Sequence, residues 1–370
     1  MRIGIVAHEL EGQRTGVGRY LEGLLRGAAE IGTDDEFVLF LKGEPIDLGL
    51  EGHLEIHFDR RPKAHPILWE QLRLPRLIRR ERLDAVFSPG YSLPEATGLP
   101  GIVALHDLSF ECLGSEFGFK ERWRRRLLAR RAAHRAARLL TGIPRIAREI
   151  AATYGVAEDK IGLVPLGVEP APEPSADALR EVRELVGDGP YLLFLGSIFP
   201  RRRLDLALEA FSQIAPDFPD LRFVIAGANR LPSPEALDAW IARSTHPERV
   251  HRLGWVAEEL LPALLREARA LVYLSTYEGY GLPPLEALAA GIPAVTLPGL
   301  ALDEIWTRYP YRIDSLETSE IATTLRRLLG NDEEYQKVTR RGRELMTEET
   351  WHRAADLWLE QIRRGVDDWS

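Results

Sequence analysis

Short, β-rich apolar runs alternate with helix-length patterns along this chain, and the alternation occurs twice. The first series is "RIGIVAH" (2–8), "EFVLFL" (36–41), "LEIHF" (54–58), "LDAVFSP" (83–89), "GIVALHD" (101–107) and "KIGLVPL" (160–166), with helical patterns such as 17–31, 66–82 and 119–139 between them. The second is "YLLFLGS" (191–197), "LRFVIAG" (221–227), "RVHRLGW" (249–255), "RALVYLS" (269–275) and "IPAVTLP" (292–298), with helices expected at 203–215, 234–243, 258–267, 283–290 and 317–329. Strands that are apolar on both faces require a parallel sheet covered by helices on both sides. At 370 residues the chain suits two domains, each of roughly 150–200 residues. The pattern predicts an α/β architecture of two Rossmann-like, doubly wound domains at 1–170 and 190–350. A linker is expected at 171–189, opening on the Pro-rich "EPAPEPSADA" (169–178), and a C-terminal helix at 351–370 is expected to pack back toward the first domain. Ligands of such sheets sit beyond the C-terminal ends of the strands, so the two domains are expected to face a central cleft.

Composition narrows the function classes. No apolar run reaches the length of about 18 residues needed to span a bilayer, and "MRIGIVAHEL" becomes polar too early for a secretory signal. Cys112 is the single cysteine, which excludes an internal disulfide and a cysteine zinc cluster. These features predict a cytoplasmic protein, possible also at the inner face of the membrane. The net charge of -8 is uneven: residues 1–170 hold 25 Lys and Arg against 24 Asp and Glu, and residues 171–370 hold 23 against 32. Lys120 to Arg148 contains eleven basic residues and one acid, Glu121. An acidic protein with one basic segment is not built to coat nucleic acid, but that segment can meet an anionic surface.

Four stretches carry candidate chemistry. Gly16 and Gly18 in "RTGVGRYLEG" precede a helical pattern, where bare backbone suits either a flexible turn or an anion contact. The third glycine of a dinucleotide fingerprint is replaced by Leu21, which argues against a dehydrogenase. In "ALHDLSF", His106 and Asp107 end a strand on the functional edge of the sheet. In "LFLGSIFPRRRLDLALEAF", a strand ends at Gly196 and Ser197, and Arg201, Arg202 and Arg203 enter a helix. Cations there oppose the helix dipole and call for an anion, which guanidinium groups bind bidentately when it is a phosphate. "YEGYGLPPLEALAAGIPAV" places Glu278 before a Gly/Pro turn and Glu286 at a helix start, both able to accept hydrogen bonds from diols. Two carboxylates and an arginine cluster describe a nucleotide-sugar site.

That last stretch resembles the E-x7-E signature of the family 4 retaining glycosyltransferases, which have the GT-B fold. "WEQLRLPRLIRRERLDAVFSP", "LHDLSF", "KIGLVPLGV", "RLGWV" and "TWHRAADLWL" resemble successive landmarks of the same family, so the likeness covers nearly the whole chain. The resemblance implies that Glu286 holds the ribose, Glu278 the donor hexose and Arg202, helped by Arg201, the diphosphate. It implies that His106 contacts the donor sugar, that backbone near Trp255 and Val256 meets the base, and that Gly16 to Gly18 face the diphosphate and acceptor. Gly196, Ser197 and the turn Gly279, Tyr280, Gly281 and Leu282 complete the implied donor site, with Arg203 expected to point away. Three positions depart from the family pattern: Ser197 where arginine is frequent, Arg202 where lysine is usual, and Leu166 where asparagine is common.

The implied reaction is retaining transfer of a hexose to a glycan or lipid-linked acceptor, with glutamate, arginine and histidine (Glu278, Arg202, His106) at its centre. It needs no cofactor beyond the donor, GDP-mannose first and UDP-glucose second. No Asp-x-Asp occurs, so no metal is expected. A hydrolase or epimerase acting on sugar nucleotides, or a non-catalytic sugar-nucleotide binder, would use the same scaffold. The basic stretch 119–140, with Trp123, Leu127, Leu128, Ala132, Ala136 and Leu139 on one side, is expected either to dock on anionic membrane or to pack on its own sheet.

Overall fold

The computed structural model describes residues 1–11, 16–43, 50, 54–59, 65–169, 172–298, 311 and 313–369. The glycine loop at 12–15 and linker residues 170 and 171 lie outside them. The described chain divides into two units, Met1–Gly167 with Glu349–Ser370, and Val168–Glu348.

The first unit is built on seven strands: β1 (Arg2–Val6), β2 (Glu36–Leu41), β3 (Leu54–Phe58), β4 (Ala85–Ser88), β5 (Gly101–Ala104), β6 (Arg138–Thr141) and β7 (Ile161–Leu163). They pair in parallel in the order β3-β2-β1-β4-β5-β6-β7. Ile3, Ile5, Val38, Leu39, Val86 and Phe87 are fully buried, as strands covered on both faces require. The helices α1 (Gly16–Glu30), α2 (Phe119–Arg135) and α3 (Pro144–Tyr154) cover the sheet together with the C-terminal helix, Trp351–Asp367.

That last helix is integral to the first unit. A Cβ at Gly23 would lie 2.3 Å from the Trp351 ring, and one at Gly27 would lie 2.3 Å from the Trp351 carbonyl oxygen, so α1 accepts the helix only because both are glycines. Trp358 is fully buried, stacked on Phe37 at 5.5 Å and edge-on to Phe87 at 5.2 Å. Truncating such a side chain costs about 3–5 kcal/mol. Arg138 Nε donates to Gln361 at 3.0 Å, which ties the helix to β6.

The second unit carries β8 (Tyr191–Leu195), β9 (Arg222–Ala226), β10 (Val250–Gly254), β11 (Ala270–Tyr273) and β12 (Ala294–Thr296), parallel in the order β10-β9-β8-β11-β12. Its helices are α4 (Ala176–Val186), α5 (Leu204–Ile214), α6 (Glu235–Arg243), α7 (Leu261–Glu267), α8 (Leu282–Ala289), α9 (Thr318–Gly330) and α10 (Asp332–Met346).

Several segments differ from their sequence reading. The span 119–139 is not one helix: α2 stops at Arg135 and Arg138–Thr141 becomes β6, so Leu139 packs in the sheet. The span expected as linker holds α4, capped by Ser175 Oγ accepting from Ala178 N at 3.1 Å and joined to α7 through Arg183 and Glu267. Residues 66–82 form a broken helix, with α-turns at Pro66–Leu68 and Leu74–Ile78 around a π turn at Trp69–Arg73. Among the described residues no helix is long and apolar enough to cross a membrane.

Candidate active site

In the second unit the strand order reverses between β8 and β11, and at such a reversal the loops beyond the strand ends part and leave a crevice. The two sequence motifs of that unit are the loops at this point. After β8 the chain runs through Gly196 and Ser197 into a tight turn, Pro200–Arg202, before α5. Gly196 adopts φ 108°, and a Cβ there would lie 2.7 Å from Arg202 Nη1, so only glycine leaves the guanidinium its place. After β11 the chain passes Glu278 to Gly281, whose φ of 85° turns it into α8 with prolines in the first turn. Thr276 N donates to the Arg201 carbonyl at 2.9 Å and locks one loop to the other.

Glu278 is the hub. Its Oε1 accepts from Arg202 Nε at 2.7 Å, Tyr273 OH at 2.8 Å and Ser275 Oγ at 3.0 Å, with Arg201 Nε at 3.9 Å. Burial pushes this carboxyl upward, but the Arg202 guanidinium, supported by Arg201 and Tyr273, outweighs burial and holds Glu278 below the usual carboxylate range. Burial raises the Tyr273 phenol well above its ordinary value, so it stays a donor. Arg202 also donates through Nη1 to the Ser197 carbonyl at 2.8 Å and lies over the Tyr273 ring at 5.2 Å. Arg201 lies over Phe199 at 4.3 Å.

Three assignments change. Arg201 to Arg203 do not enter a helix together: Arg201 and Arg202 occupy the turn, and Arg203, at φ 45°, caps α5 and pairs with Asp205 at 2.9 Å. Glu286 is not the start of its helix, because Gly281 begins α8 early and leaves Glu286 a full turn inside, partly exposed. Gly16 and Gly18 belong to the first turn of α1 rather than to a loop before it, with Gly18 buried. Arg202 and Glu278, which the resemblance assigns to different parts of a donor, are bonded to each other here.

The rest of the expected donor set spreads along the same unit. Gly279, Tyr280 and Gly281 are buried and Leu282 is partly so. Trp255, which follows β10, is 53 % exposed, with Val256 partly exposed beside it.

His106 belongs to the first unit, just past β5. Its Nε2 donates to the Pro89 carbonyl at 2.8 Å, which fixes the tautomer and leaves Nδ1 as an acceptor. Tyr20 packs edge-on at 4.6 Å, and burial lowers the imidazole pKa, so the neutral ring is favoured. Asp107 instead accepts from Ser109 N at 2.9 Å and from its hydroxyl, a local capping role. The sequence reading missed Glu70, buried in the π turn, together with His8 and Glu9 beyond β1. Among the described residues Glu55, His57 and Glu81 could reach one metal ion, but Arg2 already donates to both carboxylates.

Residues 175–345 match the family model Glycosyl transferases group 1, and residues 14–171 match Glycosyltransferase Family 4. Over 365 residues the chain is 27% identical to the O-antigen chain mannosyltransferase B of Escherichia coli, across 92% of this chain and 94% of that protein. It is 24% identical to the MMP alpha-(1->4)-mannosyltransferase of Mycolicibacterium hassiacum, across 93% of each. The structure of Anabaena HepE in complex with UDP-glucose superposes with a TM-score of 0.76 at 14% identity, covering 98% of this chain and 99% of that one. At that identity the likeness establishes the fold. The two family models run through both units, and the chain belongs to the family 4 glycosyltransferases of GT-B fold.

Proposed function

We propose that this glycosyltransferase moves a hexose, with retention of anomeric configuration and without a metal, from a nucleoside-diphosphate sugar to a glycan or lipid-linked acceptor. GDP-mannose is the first donor and UDP-glucose the second. The observation that carries the reading is the buried Arg202–Glu278 pair at the strand-order reversal of the second unit. Departure of a nucleoside diphosphate develops negative charge, and a preorganised guanidinium in a dry site stabilises it far more than water does. Arg202 supplies that cation. Two of the first residues of α8 are prolines without N–H groups, so a phosphate near this helix end depends more on guanidinium than on amides. Glu278, kept ionised, holds Arg202 in place and accepts hydrogen bonds from hexose hydroxyls. Glu286 takes the ribose, backbone at Trp255 and Val256 the base, and His106 the donor sugar.

The mannosyltransferase relatives favour mannose, and the UDP-glucose complex of HepE keeps glucose second. The absence of an Asp-x-Asp sequence supports a metal-free reaction. We place the enzyme in the cytoplasm, at the inner face of the membrane, through α2. That helix buries Ala129, Ala132 and Ala133 and leaves Phe119 84 %, Trp123 61 % and Leu127 40 % exposed at four-residue intervals. An apolar strip with an exposed tryptophan suits a bilayer interface. Arg125, Arg126, Arg131 and Arg135 are held by carboxylates, which reduces their attraction to anionic lipid.

Incubation with each donor, a membrane glycolipid extract and a chelator, followed by NMR of the anomeric signal, tests the reaction. A new α-glycoside supports it. Free sugar or an epimer indicates a hydrolase or epimerase, binding without turnover indicates a non-catalytic binder, and a β-glycoside contradicts retention.

A further inference from the structure

Tyr273 is the last residue of β11, paired in register with Thr296 on β12, and its side chain is fully buried. Five residues on, the loop brings Glu278 back to it, and the phenol donates to Glu278 Oε1 at 2.8 Å. Arg202 Nε at 2.7 Å and Ser275 Oγ at 3.0 Å reach that same oxygen. The two neutral donors are unequal. A hydroxyl has one proton to give, and Ser275 divides its own between Oε1 and the Tyr277 carbonyl at 3.1 Å. Tyr273 gives its proton to Glu278, and burial raises the phenol well above its ordinary value, so the proton stays in place.

Tyr273 also differs in what carries it. Arg202 lies in a tight turn and Glu278 in a loop, whereas Tyr273 belongs to a strand held between β8 and β12. The Arg202 guanidinium lies over the Tyr273 ring at 5.2 Å, so one strand side chain touches both members of the ion pair. A side chain on a rigid element fixes geometry more closely than one on a loop. A neutral donor also shares the carboxylate's negative charge without adding a positive one. In a buried site, the less Glu278 depends on Arg202, the more of the guanidinium's field remains for charge that develops on a leaving group.

We propose that Tyr273 is a positioning residue of the transfer reaction, which fixes Glu278 and Arg202 in one geometry and keeps Arg202 from being fully neutralised by its partner. It acts through these two side chains. The proposal rests on the reading above that Arg202 faces the departing diphosphate.

Tyr273→Phe removes the hydroxyl and keeps the ring beneath Arg202. Steady-state kinetics with GDP-mannose or UDP-glucose and a membrane glycolipid extract, at a temperature where calorimetry shows every variant folded, test the proposal. The variant should lose about tenfold or more in kcat, the share of a hydrogen bond to a charged group. The KM for the donor should stay within about twofold, as for an interaction that matters in the transition state. GDP and UDP affinities, measured by titration calorimetry, should not change. In a Glu278→Ala background the same substitution should cost less than about twofold, because the acceptor of the phenol is gone. An unchanged kcat, a raised KM in place of a lowered kcat, or an equal loss in the Glu278→Ala background overturns the proposal. The last of these would show that Tyr273 supports its strand and not the ion pair. Wild type that turns over neither donor refutes the transfer reading on which the proposal rests. An active wild type with an equally active Tyr273→Phe refutes the proposal alone.

Discussion

Replacing Glu278 with glutamine changes one charge and almost no volume, which isolates the electrostatic core of the candidate site. In the native chain this carboxylate is the partner of Arg202, and their side chains are 9% and 12% exposed. Breaking a buried ion pair on one side costs about 3–5 kcal/mol, because the other charge is left without its counterion. The lower end applies here, since Arg202 retains the Ser197 carbonyl and the faces of Phe199 and Tyr273. The affected unit spans Val168–Glu348, and for that size 1 kcal/mol moves the midpoint by about 2–4 °C. E278Q should therefore melt about 6–12 °C lower in the transition of that unit, measured by scanning calorimetry. Glu278 titrates below its ordinary range in the folded chain, so its contribution is complete above the unfolded value of about 4.3 and is lost as pH falls through the depressed folded value. The gap between wild type and variant should close only in that acid window. A shift of under about 2 °C near neutral pH would show that Arg202 does not depend on Glu278, and the reasoning would fail.

Arg202→Ala should lower turnover about 10²–10³-fold, as for loss of one preorganised charge-stabilising group, while Arg203→Ala, whose partner is only Asp205, should leave turnover nearly intact; steady-state rates separate the two. His106 has a pKa lowered by burial, so its neutral form stabilises the first unit fully above an unfolded value of about 6.5, and that stability is lost as pH falls through the lower folded value. His106→Gln, able to keep the donation to the Pro89 carbonyl, should flatten that decline in urea titrations. Co-sedimentation with anionic vesicles should fall about tenfold or more when Phe119 and Trp123 are both changed to Ser, given the apolar area withdrawn from contact; equal binding by variant and wild type would remove α2 from the interface.

Except for β6, the strands of both sheets were legible in the sequence because parallel strands buried on two faces read as unbroken apolar runs. The loops at the second reversal were legible for a different reason: glycine, arginine and glutamate at strand ends have few structural explanations. β6 was not legible. "RLLT" follows an Ala- and Arg-rich helix with no glycine or proline between them, and a four-residue apolar run has no period that separates strand from helix. Glu70 was hidden in "WEQLRLP", where an α-helical period puts it a third of a turn from Trp69, and only the π turn takes both inward. The Arg202–Glu278 bond joins residues 76 apart in sequence and follows from sheet topology, which no local pattern encodes.

The proposed function requires the reversal between β8 and β11 to hold a nucleoside diphosphate. Isothermal titration of GDP and of UDP into wild type, Arg202→Ala and Glu286→Ala measures this directly. Under the proposed function wild type binds and each variant loses about 1.5–3 kcal/mol, the scale of a hydrogen bond to a charged group. Wild-type affinity retained in both variants would place the nucleotide elsewhere and contradict it.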